Sequence, residues 1–129
     1  MGKEDQIKYW IDSSSDDRKA AEVLHKAGQN LQALFFIHLS LEKILKANWV
    51  KANQSQPPKV HDLIYLHDQS ELDLDAEDLT FLSQTNGWNI EGRYPDYKKS
   101  LYKIATVSFT KLNLSKATSI WKKLQEKLL

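Results

Sequence analysis

Between Asn30 and Gln54 the chain carries an apolar stretch whose periodicity leaves few folds open to it. Leu34, Ile37, Leu41, Ile44 and Leu45 recur at steps of three and four, the spacing that lines one face of an α-helix. Phe35, Phe36 and Leu39 lie off that stripe, so the first half of the helix is apolar nearly all round and needs cover on more than one side. The central helix of a bundle, or a helix at a subunit interface, meets that need. After Leu41 the outward positions turn polar. Glu42 and Lys46 stand at i,i+4 in the favourable order with Lys43 beside them, which predicts that this half meets water.

The flanking segments read as further helices. Ile7, Trp10, Ile11, Ala21, Leu24 and Ala27 keep a helical period from Asp5 to Ala27, and Ser14 continues it as a small residue against a close neighbour. The run Ser13 to Asp17 favours N-caps and weakens the middle, but one long helix is expected. Gly28 supplies a left-handed stop, and Asn30 is placed to cap the next helix. Pro57 and Pro58 end the central helix. A short helix is expected over Val60 to Gln69, and a fourth over Ala76 to Asn86, capped by Asp75 and burying Leu79 and Leu82. Trp88 to Tyr97 contains Gly92 and Pro95 and reads as a loop. A helical turn or two over Tyr97 to Ile104 and a last helix from Asn113 or Leu114 to Lys127 complete the chain, with β-branched and aromatic Thr106 to Phe109 between them. No hairpin signal and no repeat is present. The predicted class is all-α: one domain, residues 1–129, an up-down bundle of four to five principal helices.

Composition removes several functions. With no cysteine there is no disulfide, thiolate metal site or cysteine nucleophile. No signal-length or membrane-length apolar run is present, and a cytoplasmic, non-membrane protein is expected. The net charge of +1 hides an asymmetry: Val60 to Tyr97 holds nine acidic residues against Arg93, whereas Lys98 to Leu129 holds eight lysines against Glu126. The basic third either attracts phosphate, of RNA or of a nucleotide, or forms a solvated outer helix face. Scattered glycines exclude a Gly-rich phosphate loop, and the Asp73, Asp75, Glu77 run lacks the Gly and closing Glu of a calcium loop.

An apolar helix bearing Glu42-Lys43-x-x-Lys46-Ala47, then a proline turn with His61-x-Leu63, then Arg93-Tyr94-Pro95-Asp96, in that order, resembles the HEPN family. The resemblance spans most of the chain. It implies a small helical domain that occurs beside nucleotidyltransferases in toxin–antitoxin-like pairs. The off-stripe Phe35, Phe36 and Leu39 call for a homodimer through the central helix or, alternatively, for cover by the last helix in a monomer. The resemblance also implies a question about catalysis. HEPN ribonucleases carry an Arg followed after four to six residues by a His, which together serve phosphate binding and proton transfer without a metal. Arg93 stands in the expected region, but no His follows His67. The nuclease motif is therefore missing at its place, and the reading leans away from an enzyme.

The remaining candidates are these. Pro95 holds Tyr94 extended, so Arg93 can meet a nucleotide phosphate and Tyr94 its base, with Asp96 and Tyr97 in the same loop; alternatively Arg93 pairs with Glu42 or another carboxylate and pins the loop. Lys43 and Lys46 are the basic residues assigned to the same ligand. His38, at i,i+4 from Glu42, and His61 are weak catalytic candidates; a hydrogen-bonded core histidine and a brace for the short helix are the plainer roles. Arg18 and His25 share a helix face two turns apart, but on the wrong element for the family. No metal and no cofactor is implied. Three functions follow: a non-catalytic nucleotide-binding or regulatory subunit partnering a nucleotidyltransferase, a metal-independent ribonuclease with a degenerate Arg/His site, and a protein-interaction scaffold.

Overall fold

The computed structural model describes residues 2–88 and 100–129, and within them there are six helices and no strand. In chain order they are α1 Lys3–Lys26, α2 Asn30–Asn53, α3 Leu63–Asp68, α4 Ala76–Thr85, α5 Ser100–Ile104 and α6 Val107–Glu126. The all-α expectation holds. None of these helices is long and apolar enough to cross a membrane.

Helices α1 and α2 form a hairpin of two 24-residue arms. The turn between them works because Gly28 adopts φ +79°, a value that a Cβ would penalise. Asn30 does not cap α2 as its type suggests. Its side-chain oxygen accepts from His25 Nδ1 at 2.9 Å instead, and Gln29 occupies the cap position without a side-chain bond. The α1 helix runs unbroken through Ser13 to Asp17, where Ser13, Ser14 and Asp17 find partners on other helices. Ser14 is fully buried, donates to the Ile11 carbonyl and accepts from Trp121 Nε1 at 3.0 Å, so the small residue expected at a close contact is where α6 touches α1.

The core stripe of α2 is buried as its period predicts, with Leu34, Ile37, Leu41, Ile44 and Leu45 almost wholly inaccessible. It packs against Leu63 and Leu66 of α3, Leu82 of α4, and Ile120 and Leu124 of α6. Each such side chain contributes about 1.5–3 kcal/mol by leaving water, so α2 is the element the others are held to. Phe36 is only partly buried and packs at the margin of this core.

Boundaries shift where a side-chain cap decides them. The third helix begins at Leu63 and not Val60, because Asp62 accepts from the Ile64 and Tyr65 amides. The fourth stops at Thr85, with Asp75 capping it as expected and Phe81 and Leu82 buried while Leu79 is half-buried. The last helix starts six residues before Asn113. Thr106 caps it by accepting from Phe109 N at 3.2 Å, which turns the β-branched run into a helix start. Trp88, read as part of a polar loop, is buried against Phe81 and Phe109.

Candidate functional site

His38, Glu42 and Lys46 follow one another at four-residue steps and so share one face of α2. That face was expected to meet water after Leu41. The structure corrects this: Glu42 is 4% and Lys46 6% exposed. They are covered by the loop between α2 and α3, which brings His61 down onto them, and by Trp10 from the first half of α1.

The carboxylate of Glu42 is the hub. Its Oε1 accepts from His61 Nδ1 at 2.8 Å and its Oε2 accepts from Lys46 Nζ at 3.0 Å, so each oxygen has a donor. A buried charge costs several kcal/mol unless paired in this way. The Lys46 ammonium in turn lies 5.4 Å from the centroid of the Trp10 ring, within cation–π range. His38, fully buried, donates from Nε2 to the His61 carbonyl at 3.1 Å. Its Nδ1 sits 3.9 Å from Glu42 Oε1, too far for a hydrogen bond, and has no partner among the described residues.

That geometry sets the charge of His38. Burial pushes its pKa from 6.5 down to about 4, outweighing the attraction of the Glu42 carboxylate. It is therefore neutral near pH 7, with its one ring proton committed to the His61 carbonyl. His61 differs, with half of its side chain exposed, Nδ1 held by a buried carboxylate and its other ring nitrogen unspoken for. His61 does brace its segment, from both its carbonyl and its ring, while the cap of α3 is Asp62.

Beside this network is a cleft of about 260 Å³ lined by Tyr9, Trp10, Lys46, Pro57, Pro58 and Lys59, together with Gln6 and Gln56. Sequence reasoning treated Trp10 as a core residue and the prolines as helix breakers. The signal that was available is local: two prolines followed by Lys59 make a stiff edge next to a cation. The signal that was missing is that Trp10, nearly fifty residues away in sequence, forms the opposite wall.

The other candidates go elsewhere. Lys43 reaches across to α1, where it meets Asp17 at 2.7 Å and Ser13 at 2.9 Å, and so ties the two arms of the hairpin together. Arg18 and His25 do not converge: Arg18 binds Glu22 at 3.0 Å and stacks on Trp121 at 4.9 Å, while His25 turns to Asn30. Arg93, Tyr94, Asp96 and Tyr97 lie outside the described residues, as does any pairing of Arg93 with Glu42. Among the described residues no group of three His, Cys, Asp or Glu side chains could hold a metal ion.

A family model described as the HEPN domain matches residues 7–127 of the chain. No curated protein matches it. Among solved structures, the chain is similar to TT1696 from Thermus thermophilus, at 19% identity over 95% of this chain and 98% of that one, with a TM-score of 0.82. It is also similar to ST0689, described as an archaeal HEPN homologue, at 18% identity over 95% and 98% of the two chains, with a TM-score of 0.74. At these identities the two structures speak for the fold alone.

Proposed function

The chain belongs to the HEPN family, and on that premise we propose that it is a non-catalytic nucleotide-binding subunit whose ligand sits in the cleft between Trp10 and Pro57. The observation that carries this reading is the position of Lys46: an ammonium held by a buried carboxylate, against the face of Trp10, on the wall of a cleft that also presents Lys59. An aromatic wall suits a nucleobase and two ammonium groups suit a phosphate. The volume is just under the usual range of about 300–1,000 Å³ for ligand clefts, so a mononucleotide fits it better than a dinucleotide. Lys43 serves the site by fixing α1, and with it Trp10, against α2. Arg93 and Tyr94, with Asp96 and Tyr97, are proposed to add a second phosphate and base contact.

In this reading the subunit is regulatory, a cytoplasmic homodimer that partners a nucleotidyltransferase in a toxin–antitoxin-like pair. The support for that setting is the family resemblance, an argument by analogy. The partly buried Phe36 at the core margin supports self-association. Neutral His38 and the absence of any His after His67 favour a non-catalytic role. One observation favours the ribonuclease reading instead: a carboxylate-oriented, half-exposed His61 has the form of a general base.

Thermal unfolding with ATP, GTP and their monophosphates tests the proposal. A ligand at about a hundred times its dissociation constant adds about 2.7 kcal/mol, which moves the midpoint by several degrees. A shift lost in Lys59→Ala supports the cleft, and one lost only in Arg93→Ala moves the ligand to Arg93 and its neighbours. The absence of a shift with any nucleotide, or RNA cleavage in chelator that disappears in His61→Ala, overturns the proposal.

A further inference from the structure

The five lysines between Val107 and Lys127 divide into two sets, with Lys116, Lys123 and Lys127 on the acidic α4 side and Lys111 and Lys122 on the α1 side. On one side Lys123 and Lys127 pair with Asp78 and Asp73 at 2.7 and 2.9 Å, which holds the acidic α4 end of the chain against α6. On the other side Lys111 and Lys122 have no ion pair among the described residues. They line, with Lys26 from the end of α1, a groove of about 510 Å³. All three lysines are exposed. The one carboxylate in the groove, Glu22, already has Arg18 at 3.0 Å.

We propose that this groove between α1 and α6 binds the phosphodiester backbone of a single nucleic-acid strand. The shape of the charge supports a strand over a free nucleotide. Lys111, Ser115, Ser119 and Lys122 fall at steps of four, four and three on one face of α6, and the eleven steps from Lys111 to Lys122 span about 16 Å at 1.5 Å each. A single phosphate cannot reach cations spread over that length. The remaining polar groups include the hydroxyls of Ser115 and Ser119, which contact backbone phosphates by donating to their oxygens.

An acidic protein is the other polyanion to consider, and the lining argues against it. Protein interfaces are anchored by aromatic and arginine side chains and are poor in lysine. This groove offers three lysines and, as its apolar part, Leu114. It is also separate from the nucleotide cleft, since His25 lies fifteen residues along α1 from Trp10, about 22 Å by helix rise. Variants in one place therefore leave the other intact.

The test is fluorescence anisotropy of labelled twelve-nucleotide RNA and DNA strands against salt. For single strands each neutralised phosphate adds roughly 0.7 to the salt slope, so three lysines give about −2, or about 18-fold weaker binding from about 50 to 200 mM salt. In Lys111→Gln/Lys122→Gln the slope falls to about −0.7, or about a threefold change over the same range. Lys123→Gln/Lys127→Gln removes the same charge from the paired side and should keep the slope of the unaltered protein. Equal affinity for the two strands supports backbone recognition, and tighter RNA binding adds a contact to the 2′-hydroxyl. The proposal is overturned if neither strand binds, if the two double variants lose slope equally, or if polyglutamate displaces the strand as well as an oligonucleotide of equal charge.

Discussion

Replacing Glu42 by Leu should be among the most damaging single changes in this protein, and replacing its partner as well should undo most of the damage. Glu42 and Lys46 are both nearly inaccessible, at 5% and 8% side-chain exposure, and 3.0 Å apart. Removing one member of such a pair leaves a buried charge with no counter-ion, at a cost of about 3–5 kcal/mol. The lower end applies here, about 3 kcal/mol, because Lys46 lines the Trp10 cleft and its ammonium can turn toward water there. His61 adds little to the loss, since its half-exposed ring can take a water in place of the carboxylate. Against a total stability of about 5–15 kcal/mol this is a large fraction, and it should lower the midpoint of thermal unfolding by roughly 10 °C or more. In Glu42→Leu/Lys46→Leu no charge is stranded, and the stability should return to within about 1 kcal/mol of the starting value. Urea denaturation followed by circular dichroism at pH 7 measures both. A double variant as unstable as the single one would refute the argument, because the penalty would then come from packing and not from an unpaired ammonium.

Two further outcomes follow from the same helix. Because burial lowers the His38 pKa from 6.5 to about 4, the native state binds fewer protons than the unfolded chain between those values, and stability should fall by about 3 kcal/mol as pH drops from 6.5 to 4. His38→Gln keeps an amide donor for the His61 carbonyl and does not titrate, so urea midpoints across that window should flatten relative to the unaltered protein; an identical pH profile contradicts the assignment. If the protein is a dimer through the margin of α2, Phe36→Glu should halve the mass seen by sedimentation while helical circular dichroism is kept. Unfolding would place Phe36 in the inner packing of a monomer, and no change in either signal would reject the interface.

What could be read before the structure was what depends on neighbours in sequence. The α2 stripe, the Gly28 turn, the Asp75 cap and the small Ser14 are each settled by a few adjacent residues, and each stands where its type indicates. The Thr106 cap was equally local, yet the β-branched and aromatic run from Thr106 to Phe109 reads as lying between helices and not in one until Phe109 and Trp88 are known to pack together. Tertiary packing overrode propensity there. Trp88 was hidden for a similar reason, since its sequence neighbours are those of a loop and its partners Phe81 and Phe109 are not.

The candidate site shows where such reading stops. A Glu and a Lys four residues apart look the same on a wet helix face as on a dry one, and nothing within α2 distinguishes the two. The deciding residues, Trp10 and His61, lie 36 positions before and 15 after Lys46, and neither is unusual where it stands. Once they close over the pair, water is excluded and the balance changes: Glu42 needs both of its donors, His38 is held neutral, and Lys46 is fixed against an aromatic face instead of moving freely. Lys43, one turn from the same pair, is held by α1 through Asp17 and keeps that cover in place. A motif that reads as a surface salt bridge thus becomes the most constrained charge on the helix. The free energy spent in burying it is what positions an ammonium at a defined point on the wall of a cleft, which an exposed lysine with its mobile side chain could not provide.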